Sequence, residues 1–289
     1  NIPALINSVC VEPATGDILA AKRQAIWRVP GAGGTGTLLS NGPPAGYSNC
    51  PATGTAPWSI VSGIDLNPNP EDRGRSSVEM ALYAMAFAAD RRASTATPED
   101  LTTVILGAEF ENGPMTDADF GAFFVQLVTA GNDTTRTMLS SGLDTLLDHP
   151  DQLAALRRDP TVIPSAIEEV LRYANPLHYF RRTAVADYEL GDVTIAAGQK
   201  LAMMYTSANR DDEVFDDPHR FDLHRDPNPH LSFGIGQHFC LGVHLARLEG
   251  RVFFEELLAR FPTIERTGAA ARQQSNLNNS LKLLPVRLG

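Results

Sequence analysis

Cysteine is scarce in this chain: three residues in 289, at positions 10, 50 and 240. So sparse and odd a set makes no disulfide framework, and a reducing interior is expected. Long hydrophobic runs are missing too, so no membrane span is expected. The N-terminus lacks the basic-then-apolar order of a signal peptide. Basic residues fall short, with 24 Lys and Arg against 34 Asp and Glu, a net charge of -10. With no basic surplus to neutralise phosphates, nucleic-acid binding is not expected. Hydrophobic content of 43% is ordinary and argues against disorder. A soluble, cytoplasmic, monomeric protein is the expectation.

Residues 1–70 are rich in Gly, Pro, Ser and Thr, notably across 30–58, and show no sustained hydrophobic period. Such composition favours turns and irregular chain, and the region carries no assignable role. From residue 71 helical signals return. Helices are expected over 76–92, from Pro98 to about Gly107, over 151–158, and from Pro164 to the stop at Pro176. Thr116 to Asp119 resembles a capping box with Asp in place of Glu. Beyond it, Phe120, Phe123, Phe124, Leu127, Val128, Met138, Leu139, Leu143 and Leu146 keep helical spacing as far as His149-Pro150. One helix of roughly thirty residues is expected, well above the usual mean. The stretch 180–205 alternates and turns at Gly191 and Gly198, which predicts a small antiparallel sheet. Residues 211–229 read as an ordered loop, and a last helix runs from about Cys240 to Arg260. The fold class is mainly α with a minor antiparallel β-sheet.

The chemistry centres on 233–242, FGIGQHFCLG. Gly234 and Gly236 permit tight backbone turns that other residues resist. Cys240 follows at the mouth of a helix, where free N–H groups and the dipole favour a thiolate. A thiolate can ligate iron and push electron density toward it. Gly242 lets something flat approach the backbone, and His238 offers a donor to an acidic group. On residue type alone, Cys240 reads equally as a small buried hydrophobe or as the nucleophile of a thiol enzyme with His238 or His244 as base.

The whole string resembles the haem-binding loop of cytochrome P-450 monooxygenases, matching FGxGxHxCxG from Phe233 position for position. Three further elements follow the family's order. Ala130 to Thr135 (AGNDTT) is a poor helix interior, with Gly131 alone costing about 1 kcal/mol, and such local conflict marks functional sites. The resemblance makes it the dioxygen-activation site: Ala130 and Gly131 leave room, and Asp133 and Thr134 relay protons. Glu169 and Arg172 form an i, i+3 pair. The apolar face Ile167, Val170, Leu171 and Ala174 lies elsewhere, so the pair points the other way, and read on its own it is a surface salt bridge. In the family it makes a structural triad, with Arg220 as its third member. Arg182 stands where relatives hold a haem propionate, with Arg181 as competitor.

The resemblance covers 71–289 as a haem-binding catalytic core and leaves 1–70 atypical or truncated; neither Trp27 nor Trp58 sits in a version of the family's propionate-gripping helix. It implies haem b with axial Cys240 as the metal ligand, and O2 insertion into a hydrophobic small molecule of sterol, branched-lipid or terpenoid type. Electrons derived from NAD(P)H would come through a ferredoxin and ferredoxin reductase, since the chain lacks the cysteines for a cluster of its own. Arg247 and Arg251 on the last helix are candidate docking cations. The alternatives are a haem-binding protein without monooxygenase activity and a thiol hydrolase.

Overall fold

The computed structural model describes residues 21–22, 25–28, 37–38, 58–60, 70–95, 99–110 and 113–289. The remainder of 1–70, with Cys10 and Cys50, and the expected helix start at Pro98 lie outside the described residues. Two compact units divide the chain: Asn1–Gly63 with Thr134–Gly289, and Ile64–Asp133.

In the smaller unit, helices α1 (Pro70–Ala93) and α2 (Leu101–Leu106) accompany the first half of α3 (Asp117–Asp148). Ala84, Ala88, Leu106, Met115 and Phe120 form its buried core. Gly121 permits the α1–α3 crossing, because a Cβ there would sit 2.8 Å from Met85 Cγ and 3.0 Å from the Ala81 carbonyl. The capping box is present and reciprocal: Asp119 N donates to Thr116 Oγ1 at 3.1 Å, and Thr116 N to Asp119 Oδ2 at 3.0 Å. At 32 residues, α3 has the expected length.

In the larger unit, the rest of α3 meets α4 (Pro150–Arg158), α5 (Ile163–Tyr173), the short α6 (Tyr205–Ala208) and α7 (Val243–Arg260). Met138, Leu146, Ile167, Val170 and Phe254 join α3, α5 and α7 in one core. Two glycines allow the close approach. A Cβ at Gly142 would meet Val170 Cγ1 at 2.8 Å and Phe254 Cζ at 3.1 Å; one at Gly250 would meet Met138 Cε at 3.0 Å. The expected sheet over 180–205 is two separate antiparallel pairs: Tyr179–Thr183 with Lys200–Met204, and the hairpin Tyr188–Leu190 with Val193–Ile195. Gly191 (φ 57) closes the hairpin. A terminal sheet was not anticipated from the sequence. Leu281–Leu288 pairs with Ile264–Arg266, Ala271–Arg272 and Trp58–Ile60, covering a second core of Leu143, Leu257, Ile264, Leu281, Leu284 and Val286. Among the described residues no helix is long and apolar enough to cross a membrane.

Since the Gly142 site has no spare volume, Gly142→Val is expected to lower stability by about 1–3 kcal/mol in urea unfolding, through overpacking of Val170 and Phe254.

Candidate functional site

The cysteine loop is built from turns. Gly234 and Gly236 both take φ +70, which an L side chain rarely adopts, and a Cβ at Gly234 would press on Tyr205 Oη at 3.3 Å. A 3-10 turn at Gly236–His238 follows. The chain then returns so that Cys240 N donates to the Phe233 carbonyl at 2.9 Å. Helix α7 begins at Val243, three residues later than expected, and Val243 N reaches back to the Cys240 carbonyl at 3.4 Å. Cys240 is a free, half-buried thiol.

The Glu169–Arg172 pair also belongs to this unit, and it is no surface salt bridge: both side chains are 0% exposed. The pair does point away from the apolar face of α5, yet the 209–228 segment wraps over it. Arg172 Nε and Nη2 donate to the two Glu169 carboxyl oxygens at 2.7 Å each. Its remaining N–H groups bond the carbonyls of Asn209, Pro218 and Arg220 at 2.8–2.9 Å. The guanidinium therefore has all its donors engaged, as a buried charge requires. Glu169 also accepts from Asp222 N at 2.9 Å and Asn228 Nδ2 at 3.1 Å.

The second guanidinium on Glu169 belongs to Arg225, whose Nε lies 3.2 Å from Oε2, and not to Arg220. Arg220 contributes its carbonyl, while its side chain is 61% exposed and faces Asp222 Oδ2 at 3.5 Å. Arg225 is half-buried, with its side chain 9% exposed, and nothing in its sequence surroundings marked it for this role. The bracing reaches the cysteine loop through Asn209: its Oδ1 accepts from Leu231 N at 2.8 Å, and its Nδ2 donates to Ser232 Oγ at 2.9 Å.

Thr134, in the same unit, is half-buried in α3. Its neighbour Thr135 is hydrogen-bonded to Glu249 of α7, a carboxyl that burial raises above its usual pKa and the Thr135 contact lowers in part. Sequence reasoning passed over Glu249, which carries no motif of its own. Ala130, Gly131 and Asp133 belong to the smaller unit; Gly131 is exposed, with open space where a Cβ would stand. Arg182 is half-buried on strand Tyr179–Thr183 and donates to the Arg181 carbonyl at 3.0 Å; His238 is exposed. Of the candidate docking cations, Arg247 is bound to Glu168 at 2.7 Å, and the more exposed Arg251 faces Glu255 at 3.7 Å.

A haem fits these residues. Among the described residues no cluster of three His, Cys, Asp or Glu exists to hold a bare metal ion. A single thiolate suits a metal whose remaining ligands come from a macrocycle. Ile235, Phe239 and Leu241 around the thiol present exposed apolar side chains, and a Cβ at Gly236 or Gly242 would meet nothing within 4 Å. The loop thus offers an apolar, uncrowded surface beside its sulfur.

The sequence profile described as "Cytochrome P-450" matches residues 74–283. A methyl-branched lipid omega-hydroxylase of Mycobacterium tuberculosis (strain ATCC 25618 / H37Rv) is 41% identical over 224 residues, 77% of this chain and 52% of that protein. A steroid C26-monooxygenase of Mycolicibacterium smegmatis is 37% identical over 228 residues, 78% and 52% of the two chains. Among solved structures, a Mycobacterium marinum cytochrome P-450 in complex with pseudoionone shares a TM-score of 0.68 at 44% identity, covering 72% of this chain and 50% of that one. CYP109E1 from Bacillus megaterium in complex with testosterone gives 0.72 at 32% identity, covering 76% and 61%. The chain spans about half the length of the curated relatives it matches.

Removing one partner of a buried ion pair strands the other, so Arg172→Met is expected to cost about 3–5 kcal/mol in urea unfolding. Arg220→Ala, which removes only an exposed guanidinium, should cost under about 1 kcal/mol.

Proposed function

This chain belongs to the cytochrome P-450 family, and from that premise we propose that it binds haem b through the Cys240 thiolate and acts as a monooxygenase on a hydrophobic small molecule. The carrying observation is the cysteine loop itself: a free, half-buried thiol behind a tight glycine turn, pinned to Phe233 and braced from α5. When bound, haem supplies the redox chemistry, in which one atom of O2 enters a substrate C–H bond and the other leaves as water at the cost of two electrons and two protons.

The chain's own residues have narrower tasks. Cys240 Sγ serves as the ligand, three residues ahead of the start of α7 at Val243. His238 and Arg182 would hold the propionate carboxylates; a guanidinium is suited to a two-toothed grip. Phe233, Gly234 and Gly242 would shape the loop for the macrocycle, and Ala130 and Gly131 would leave room for it. The Thr134 hydroxyl and the Asp133 carboxyl move protons inward from solvent, a hydroxyl both donating and accepting and a carboxyl recharging it. Glu169, Arg172 and Arg225 hold the scaffold.

The named relatives act on methyl-branched lipids and steroids. The neighbouring structures hold pseudoionone and testosterone. On that basis a sterol, branched-lipid or terpenoid-like substrate is assigned to this chain. Electrons come from NAD(P)H through a ferredoxin and its reductase, in the cytoplasm. Arg251 is the docking cation of choice, because Arg247 is committed to Glu168.

Two measurements test this reading. The reduced protein with carbon monoxide is expected to show a thiolate-type, red-shifted Soret band that Cys240→Ala abolishes; a histidine-type band, or none, sinks the assignment. In turnover with redox partners, Thr134→Ala is expected to lower product formed per O2 consumed several-fold. Unchanged coupling would remove Thr134 from the proton path, and no turnover by the native protein would favour a haem-binding protein without monooxygenase activity.

A further inference from the structure

Helix α5 carries two neighbouring carboxylates, and only Glu169 belongs to the family's pair. Glu168 projects differently and gathers groups from both flanks of the cysteine loop. Its Oε1 accepts from Arg247 Nε at 2.7 Å and its Oε2 from Arg247 Nη2 at 2.8 Å, a two-toothed contact. Oε2 also faces His230 Nε2 at 3.0 Å, and the His230 side chain is only 3% exposed. On the far side of that ring, His230 Nδ1 accepts from Ser232 N at 3.3 Å. With Nδ1 accepting, the proton of a neutral imidazole lies on Nε2 and donates to Glu168, so the arrangement is satisfied without charging the histidine.

These contacts converge on one aromatic ring. The Arg247 guanidinium lies 4.9 Å from the Phe233 centroid, and His230 lies 5.9 Å from the same ring. Phe233 in turn supplies the carbonyl that accepts the Cys240 N–H at 2.9 Å. His230 precedes the loop and Arg247 follows it, so one carboxylate on a rigid helix clamps both of its ends. Clamping the ends of a flexible segment removes much of its conformational freedom.

We infer that Glu168 is a positioning residue: together with Arg247 and His230 it fixes the Phe233 ring, and through the Phe233 carbonyl it sets the geometry of the Cys240 loop.

This rests on the reading that Cys240 ligates haem. The brace is permanent across ordinary pH. Burial raises the Glu168 pKa, but the His230 and Arg247 contacts outweigh it and hold the carboxyl at about 2. Glu168 in turn raises Arg247, opposed by burial and assisted by attraction to Cys240. A geometric brace differs from a mere ion pair in needing the planar fork: lysine keeps the charge but loses both the two-toothed contact and the flat face over Phe233.

The test is amide hydrogen exchange of segment 233–242 in the haem-loaded protein, read beside the reduced carbon monoxide band and the midpoint potential. Glu168→Gln and Arg247→Gln are each expected to speed exchange in that segment about tenfold while leaving the α5 core protected. Both should also shift the potential and convert part of the thiolate-type band. The double variant should cost less than the sum of the two single changes, because both break the Glu168–Arg247 contact and only Glu168→Gln also weakens the contact to His230. Should Arg247→Gln fail to fold, Arg247→Lys decides: it should keep the global fold and still lose loop protection. Arg260→Gln, which breaks a surface pair on the same helix, should change none of these. If the native protein shows the thiolate band and Glu168→Gln and Arg247→Lys match it in exchange, band and potential, the brace is overturned. If the native band itself is absent, the haem reading fails instead.

Discussion

The Glu169–Arg172 pair is the contact on which the rest of the larger unit depends. A guanidinium and a carboxylate wholly removed from water are tolerated only when every donor and lone pair is matched. The matching groups are backbone carbonyls and amides of residues 209–228. That segment is rich in Asp and Pro, and it anchors Phe215, Phe221 and Leu223 in the interior. The buried charge works beside those anchors: its hydrogen bonds fix the path of the segment's backbone. Phe215 and Tyr173 flank the guanidinium at 5.3 and 5.8 Å and complete its apolar surroundings.

From there, order passes to the cysteine loop by two routes. One runs through Asn209 to Leu231 and Ser232 and uses neutral hydrogen bonds. The other runs through Glu168 to His230 and Arg247 and uses charge. Both start on α5, which is itself anchored by the glycine-mediated crossings of α3 and α7. A loop with φ +70 at two positions and exposed apolar residues on its surface has little reason to hold one shape alone. Support from a packed helix supplies that reason, and it is how the Cys240 sulfur comes to be held in place on irregular chain.

Much of this is legible in the amino-acid sequence. The capping box at Thr116, the length of α3, the hairpin at Gly191 and the stop at Pro176 are local events, decided by residues a few positions apart. So is the motif around Cys240, whose glycines and cysteine sit within ten residues. The terminal sheet was not legible: Leu281–Leu288 takes partners up to more than 200 residues away, and short strands with distant partners leave a weak local signature.

By itself, then, the sequence determined the glycine–cysteine loop, the family resemblance and the order of the main helices, because each follows from short-range pattern. Only the tertiary structure decided that the Glu169–Arg172 pair is buried. Helical spacing places two side chains on one face but does not say what covers that face. Tertiary structure also chose Arg225 over Arg220 and turned Glu168 and Arg247 from surface charges into a brace. Two arginines five residues apart on irregular chain are equivalent in sequence, and the path of the backbone alone decides which guanidinium reaches the carboxylate and which turns to water.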